Sequence, residues 1–140
     1  EYTPAAWDLE ADDTYYSFTP QTITEEQFAF EMIQGAMDIA KERFPDIEFL
    51  LVNEPILISG GENSEIRYNF YYPRWVYDIY RVMMVEQSDK HDWDYIDLWN
   101  IVPAEEFTNS AIHLTPIGES ILAEAIAKSS YAQEVWEIVE

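Results

Sequence analysis

The stretch that most constrains this chain is IEFLLVNEPILI at 47–58, whose apolar residues run on rather than alternate. A strand with one wet face alternates polar and apolar residues. A run that is apolar on both sides predicts a strand in a parallel sheet covered on both faces. Pro55 has no N–H to give a ladder, so it marks the strand end or a bulge. A second short strand is predicted in WDYIDLWNIV at 93–102, ending in polar positions around Asp97 and Asn100.

Helical patterns surround both strands. Thr24 with Gln27 fits a capping box, and Glu25 and Glu26 suit the positive end of a helix dipole. Phe28, Met32, Ile33, Ala36, Ile39 and Ala40 then form the predicted core face of a helix that reaches Lys41 and Arg43 and stops at Pro45. A second helix is predicted within 68–88 after Pro73, with Trp75, Ile79, Val82 and Met83 inward. A third begins at Pro116 with Thr115 as its cap. Strands alternating with helices place the chain in the α/β class, with a parallel sheet and right-handed crossovers. Three segments are expected: an acidic, aromatic-rich arm or long loop at 1–24, an α/β unit at 25–130, and a terminal helix or tail at 131–140.

With 140 residues, 48% of them hydrophobic, the chain can bury about two thirds of its unfolded surface. Two strands are nevertheless few for such a layer, so the chain is expected to be part of a domain. Its 28 acidic and 7 basic residues leave a net charge of −21. That charge repels phosphate backbones and anionic membranes, so neither nucleic acid nor a membrane surface is the expected partner. No apolar run is long enough to span a bilayer, so no membrane insertion is expected. The acidity suits an extracellular or cell-surface protein, while a cytoplasmic location stays open. Without cysteine there is no thiolate nucleophile or Cys-based metal site, and no cofactor or metal is expected.

His113 lies between the second strand and the helix at Pro116, where the C-terminal edge of a parallel sheet gathers functional groups. FTNSAIHLTPIGESILAEAI at 107–126 resembles the final block of the SGNH (GDSL-like) hydrolases: an acidic residue, then the catalytic His, then a Gly-containing helix. GAMDIAKERFPDIEFLLVNEPI at 35–56 is similar to that family's penultimate helix and strand, and DWDYIDLWNIVP at 92–103 to its last strand. The resemblance implies a partial flavodoxin-like three-layer α/β/α sandwich corresponding to the C-terminal half of such a domain. It also implies a serine ester hydrolase in which His113 is the base and acts on a small ester or acylated carbohydrate. The nucleophile would come from a missing N-terminal half or a second chain that completes the sheet. The chain departs from the pattern at the acidic position three before the His, which is Ser110, with Asn109 beside it. Glu106 or Asp97 could supply a carboxylate from elsewhere, and Ser59 in ISGG follows the wrong strand for the nucleophile.

Two other functions compete. VNEP at 52–55 resembles the fourth-strand signature of the (β/α)₈ glycoside hydrolases, which makes Glu54 a candidate acid/base. That chemistry needs a second carboxylate about 5 to 9 Å away, and the full barrel takes about 250 residues. The chain could instead be a noncatalytic carbohydrate-binding or assembly module. Asn53, Glu54, Tyr72 and Trp75 are the candidate substrate-binding residues, because the aromatic cluster YNFYYPRW could line a groove. His91, in SDKHDWD, is expected in a solvated polar turn. Arg67, Arg74 and Arg81, spaced by seven, are expected to pair with carboxylates inside the molecule or to hold an acidic substrate group.

Overall fold

A computed structural model describes residues 23–61, 63–108 and 110–129. The expectations for 1–22, for the tail at 131–140 and for Asn109 fall outside these residues. Within them the chain is a mixed α/β structure. It has helices α1 (Phe30–Arg43), α2 (Arg74–His91) and α3 (Pro116–Ala127), and strands β1 (Leu50–Asn53), β2 (Arg67–Asn69), β3 (Tyr72–Pro73) and β4 (Asp94–Asp97). Strands β1 and β4 pair in parallel from Leu50↔Asp94 to Asn53↔Asp97, while β2 and β3 form a small antiparallel ladder. No described helix is long and apolar enough to cross a membrane.

The helix ends follow local chemistry. The Thr24 N–H donates to Gln27 Oε1 at 2.8 Å, but the turn it caps is a separate 3₁₀ element, Glu25–Phe28. Ala29, at φ 53°, breaks the predicted continuous helix, and α1 starts one residue later. Asp92, also at φ 53°, closes α2 in the left-handed conformation that helix C-termini favour, and the Trp93 N–H reaches back to the Ser88 carbonyl. At α3 the Thr115 hydroxyl accepts from the Gly118 N–H at 3.2 Å, and Pro116 takes the first turn.

The strand run at 47–58 divides in two. Leu50–Asn53 is ladder; the chain beyond Pro55 stays in the interior, tied elsewhere. Ile56 N–H donates to the Trp99 carbonyl, Leu57 N–H to the Ala111 carbonyl and Ser59 N–H to the Tyr68 carbonyl. Asn69, fully buried, donates to the Leu57 carbonyl at 2.7 Å and so fastens the β2–β3 turn to this segment. Neighbouring residues of an extended chain point to opposite sides, and here each side carries its own core. Ile56 packs with Tyr68 and Tyr77 under Tyr80 and Trp99, whereas Leu57 packs with Val102 and Phe107 under Leu114 and Ile121.

Two helix faces differ from expectation. On α1 the buried residues are Phe30 and Met37, while Met32 is 75% exposed and Ile39 58%. On α2 they are Tyr77, Met84, Gln87 and Ser88, while Val82 is 60% exposed. The stripe 77, 84, 87, 88 has helical spacing, yet it is less hydrophobic than the stripe of Val82. Tyrosine wins the inward position because its ring packs while its hydroxyl finds a polar partner.

Candidate functional site

The C-terminal ends of the two parallel strands meet at Asn53 and Asp97, which face each other in register. The Asn53 Nδ2 donates to Asp97 Oδ1 at 2.9 Å and lies 3.1 Å from the Tyr77 hydroxyl. From the next turn of α2, Arg81 donates through Nε to Asp97 Oδ2 at 2.8 Å, with Nη2 at the same distance. The guanidinium of Arg81 also stacks over the Trp99 ring, 4.2 Å from its centroid. Asparagine, aspartate, tyrosine and arginine thus form one partly buried network that sets the spacing of strands and helix. The expected internal pairing of an arginine with a carboxylate is found here. Arg74 instead lies over the Tyr68 ring at 4.3 Å and donates to the Ser64 carbonyl.

Above this network opens a cavity of about 500 Å³. Its walls are Phe28, Tyr71, Tyr72, Tyr77 and Tyr80, with Val52, Ile56, Pro73, Val76 and Ile112 between them and Asn53 and Glu54 at the strand end. Of the candidate substrate-binding residues, Asn53, Glu54 and Tyr72 therefore come together in one cavity, and Trp75 lies outside its lining. Burial raises the Tyr72 hydroxyl above its usual pKa, and the Glu54 carboxylate adds to the effect. Burial raises Tyr77 and Tyr80 too, with the Asp97 charge contributing to both. For Tyr72, Tyr77 and Tyr80, burial is the main cause, and it favours the neutral hydroxyl. Glu54 is the one carboxylate among the described lining residues, whereas sugar cleavage by paired carboxylates needs two.

The His113 loop sits beside this cavity. Its backbone is fixed: the Leu57 N–H donates to Ala111 O at 2.8 Å, and both the Thr108 N–H and its hydroxyl donate to His113 O. A β-bridge joins Phe107 to Leu114, and Ile112 reaches the cavity wall. The His113 side chain itself is exposed and makes no hydrogen bond among the described residues. Ser110, at the expected acidic position, uses its hydroxyl to accept from the Ile112 N–H at 3.3 Å. Asp97 is taken by Arg81 and Asn53, and the Glu106 carboxylate accepts from the Thr115 hydroxyl, so neither orients His113. The Ser59 hydroxyl accepts from the Gly61 N–H.

His91 is not in a polar turn. It ends α2 half-buried, its ring stacked on Trp93 with centroids 5.0 Å apart. No cluster of three or more His, Cys, Asp or Glu suited to a metal ion occurs among the described residues. The network of Tyr77, Asn53, Asp97 and Arg81 is what sequence reasoning missed as a unit. Its one readable signal is a polar residue closing each apolar strand run. Comparison with family models, with curated proteins and with solved structures gave no match.

Proposed function

We propose that this chain is the base-bearing C-terminal part of an SGNH-type serine ester hydrolase, in which His113 acts on a serine supplied by a segment outside it. One observation carries this reading. The His113 loop is hydrogen-bonded to the chain four residues past the end of β1, at Leu57, and its Ile112 lines the cavity at the strand ends. Ligand sites of parallel sheets gather at that edge. An exposed imidazole on a fixed backbone is open to a partner hydroxyl. His113 would take the serine proton as the hydroxyl oxygen attacks the ester carbonyl, then return it to the departing alkoxide. Water would release the acyl group by the same steps. The substrate is a small ester or an acylated carbohydrate held in the aromatic cavity, and nucleic acid is not a partner of so acidic a surface.

The completed architecture in this reading is a flavodoxin-like three-layer sandwich. Support comes from Ile56 and Leu57, which pack toward α2 and α3 respectively, and from the exposed apolar residues Met32, Ile39 and Val82 on α1 and α2. Such faces suit cover by further chain. The test is hydrolysis of p-nitrophenyl acetate by the full encoded protein, together with labelling by a fluorophosphonate. His113→Ala is expected to abolish labelling and lower kcat by at least about a thousandfold, with the melting temperature unchanged because the side chain is exposed. Hydrolysis and labelling that survive the substitution would overturn the assignment.

A further inference from the structure

We infer that the polar cleft between α1 and the last turns of α2 binds a neutral, polyhydroxylated molecule of about the size of a sugar ring. The inference stands apart from the ester hydrolase reading, because the cleft shares no lining residue with the aromatic cavity and none with the His113 loop.

The observation that carries it is Gln87. Only 4% of this residue is exposed, yet its side-chain amide makes no hydrogen bond among the described residues. A buried amide without a partner is a net cost to folding, and such groups are rare. Ser88, the next residue of α2 and also buried, shows the usual outcome: its hydroxyl donates to the Met84 carbonyl at 2.7 Å. A leucine would fill the Gln87 position without the cost. The Gln87 side chain instead lines a cleft of about 430 Å³, within the size range of small-molecule sites. Gln34, on α1, and His91, one turn after Gln87 on α2, line the same cleft. Neither of these side chains makes a hydrogen bond among the described residues, and the His91 ring is held in place by its stack on Trp93. Two helices thus bring three polar side chains with unused bonding capacity to one space.

Their chemistry selects the ligand. Each amide offers an acceptor oxygen beside two donor hydrogens, and a neutral imidazole adds one donor and one acceptor. A partner that satisfies such groups must donate and accept at neighbouring atoms, as adjacent hydroxyls on a sugar ring do. The charges around the cleft are mixed, with Glu26 and Glu31 on the side of α1 and Lys90 on α2. A carboxylate would meet two glutamates and an ammonium ion would meet Lys90, whereas a neutral polyol meets neither repulsion. An apolar ligand would leave the amides unpaired.

The probes are D-glucose, D-galactose and D-xylose, titrated separately into the full chain while its side-chain amides are followed by NMR. Cyclohexanol, a ring with one hydroxyl, and sodium acetate are the controls. At least one sugar is expected to bind with a Kd of about 1 mM, to shift the Gln87 and Gln34 amide signals, and to bind about tenfold or more tighter than either control. Gln87→Leu should weaken that sugar about tenfold while the melting temperature holds or rises, because packing is kept and an unpaired amide is removed. Gln34→Ala, at a half-buried position, should weaken it severalfold and decides the matter if Gln87→Leu does not fold. No binding of any of the three sugars, equal binding of cyclohexanol or acetate, or sugar affinity unchanged by both substitutions would overturn the inference. So would a fall in the melting temperature of Gln87→Leu with sugar affinity intact, which would make the amide purely structural. His113→Ala leaves sugar binding untouched, so loss of hydrolysis and loss of sugar binding are read separately.

Discussion

The pair formed by Arg81 and Asp97 is expected to couple α2 to the end of β4 by about 2 kcal/mol, roughly midway between exposed and fully buried pairs. The side chains are 26% and 21% exposed, and two guanidinium nitrogens lie 2.8 Å from the same carboxylate oxygen. In bare Coulomb terms, opposite charges about 4 Å apart attract by about 4 kcal/mol at the effective dielectric of a protein surface. Desolvation and lost side-chain freedom take back around half. A double-mutant cycle isolates the remainder. Arg81→Met keeps an unbranched stem against Trp99 while removing the charge, and Asp97→Asn keeps an acceptor for the Asn53 amide. Urea unfolding of the parent, the two single variants and the double variant gives the coupling energy, and repeating it in 1 M NaCl should lower that energy by less than half, because a partly buried pair is screened less. The pair of Lys128 and Glu124, with side chains 72% and 70% exposed, serves as an internal reference expected to couple much more weakly. A coupling for Arg81 and Asp97 below about 0.5 kcal/mol, or one abolished by salt, would refute the claim that this network joins helix to sheet.

Two further outcomes test the fold. A Cβ at Gly118 would lie 2.9 Å from the Glu106 carbonyl oxygen and 3.1 Å from the Leu114 Cβ, so Gly118→Ala should push α3 off the His113 loop and cost about 1 to 3 kcal/mol in urea unfolding, against no loss if that approach is unimportant. The Tyr68 hydroxyl is raised from 10.0 to about 12 by burial and by its hydrogen bond to Asp78 at 2.6 Å, so its protonated form favours the folded chain. That contribution is complete below pH 10 and lost as pH climbs from 10 through 12, because the unfolded chain gives up its proton first. Stability measured from pH 9 to 12 should therefore fall less steeply in Tyr68→Phe than in the parent, and equal slopes would contradict the assignment.

What could be read from the chain by itself was what depends on near neighbours. The Thr115 cap, Pro116 in the first turn and the Thr24–Gln27 box involve residues within three positions of one another, and all three occur. The continuous apolar run at 47–58 carried the parallel pairing of β1 with β4, but the expected cover on both faces is not met: only Leu50–Asn53 joins the ladder, that strand is partly buried, and Ile47 is exposed. Asn53, Glu54 and Tyr72 could be singled out because polar and aromatic groups stand where apolar runs end. Helix orientation was a different matter. Hydropathy favoured Val82 and Met32 as inward residues, yet the tertiary structure turned in Tyr77 and Phe30, whose rings join a cluster that also draws on Trp99. No window of sequence contains both sides of that choice. The meeting of Asn53 with Asp97, 44 residues apart, is likewise fixed only when β1 and β4 find their register and Arg81 arrives from the helix between them. Local patterning determined the three helices and the β1 and β4 segments, since caps and apolar runs act over a few residues, but not the β2–β3 ladder or the break at Ala29. Only the tertiary structure decided which faces point inward and which side chains share the cavity, because those depend on partners that the chain brings together by folding.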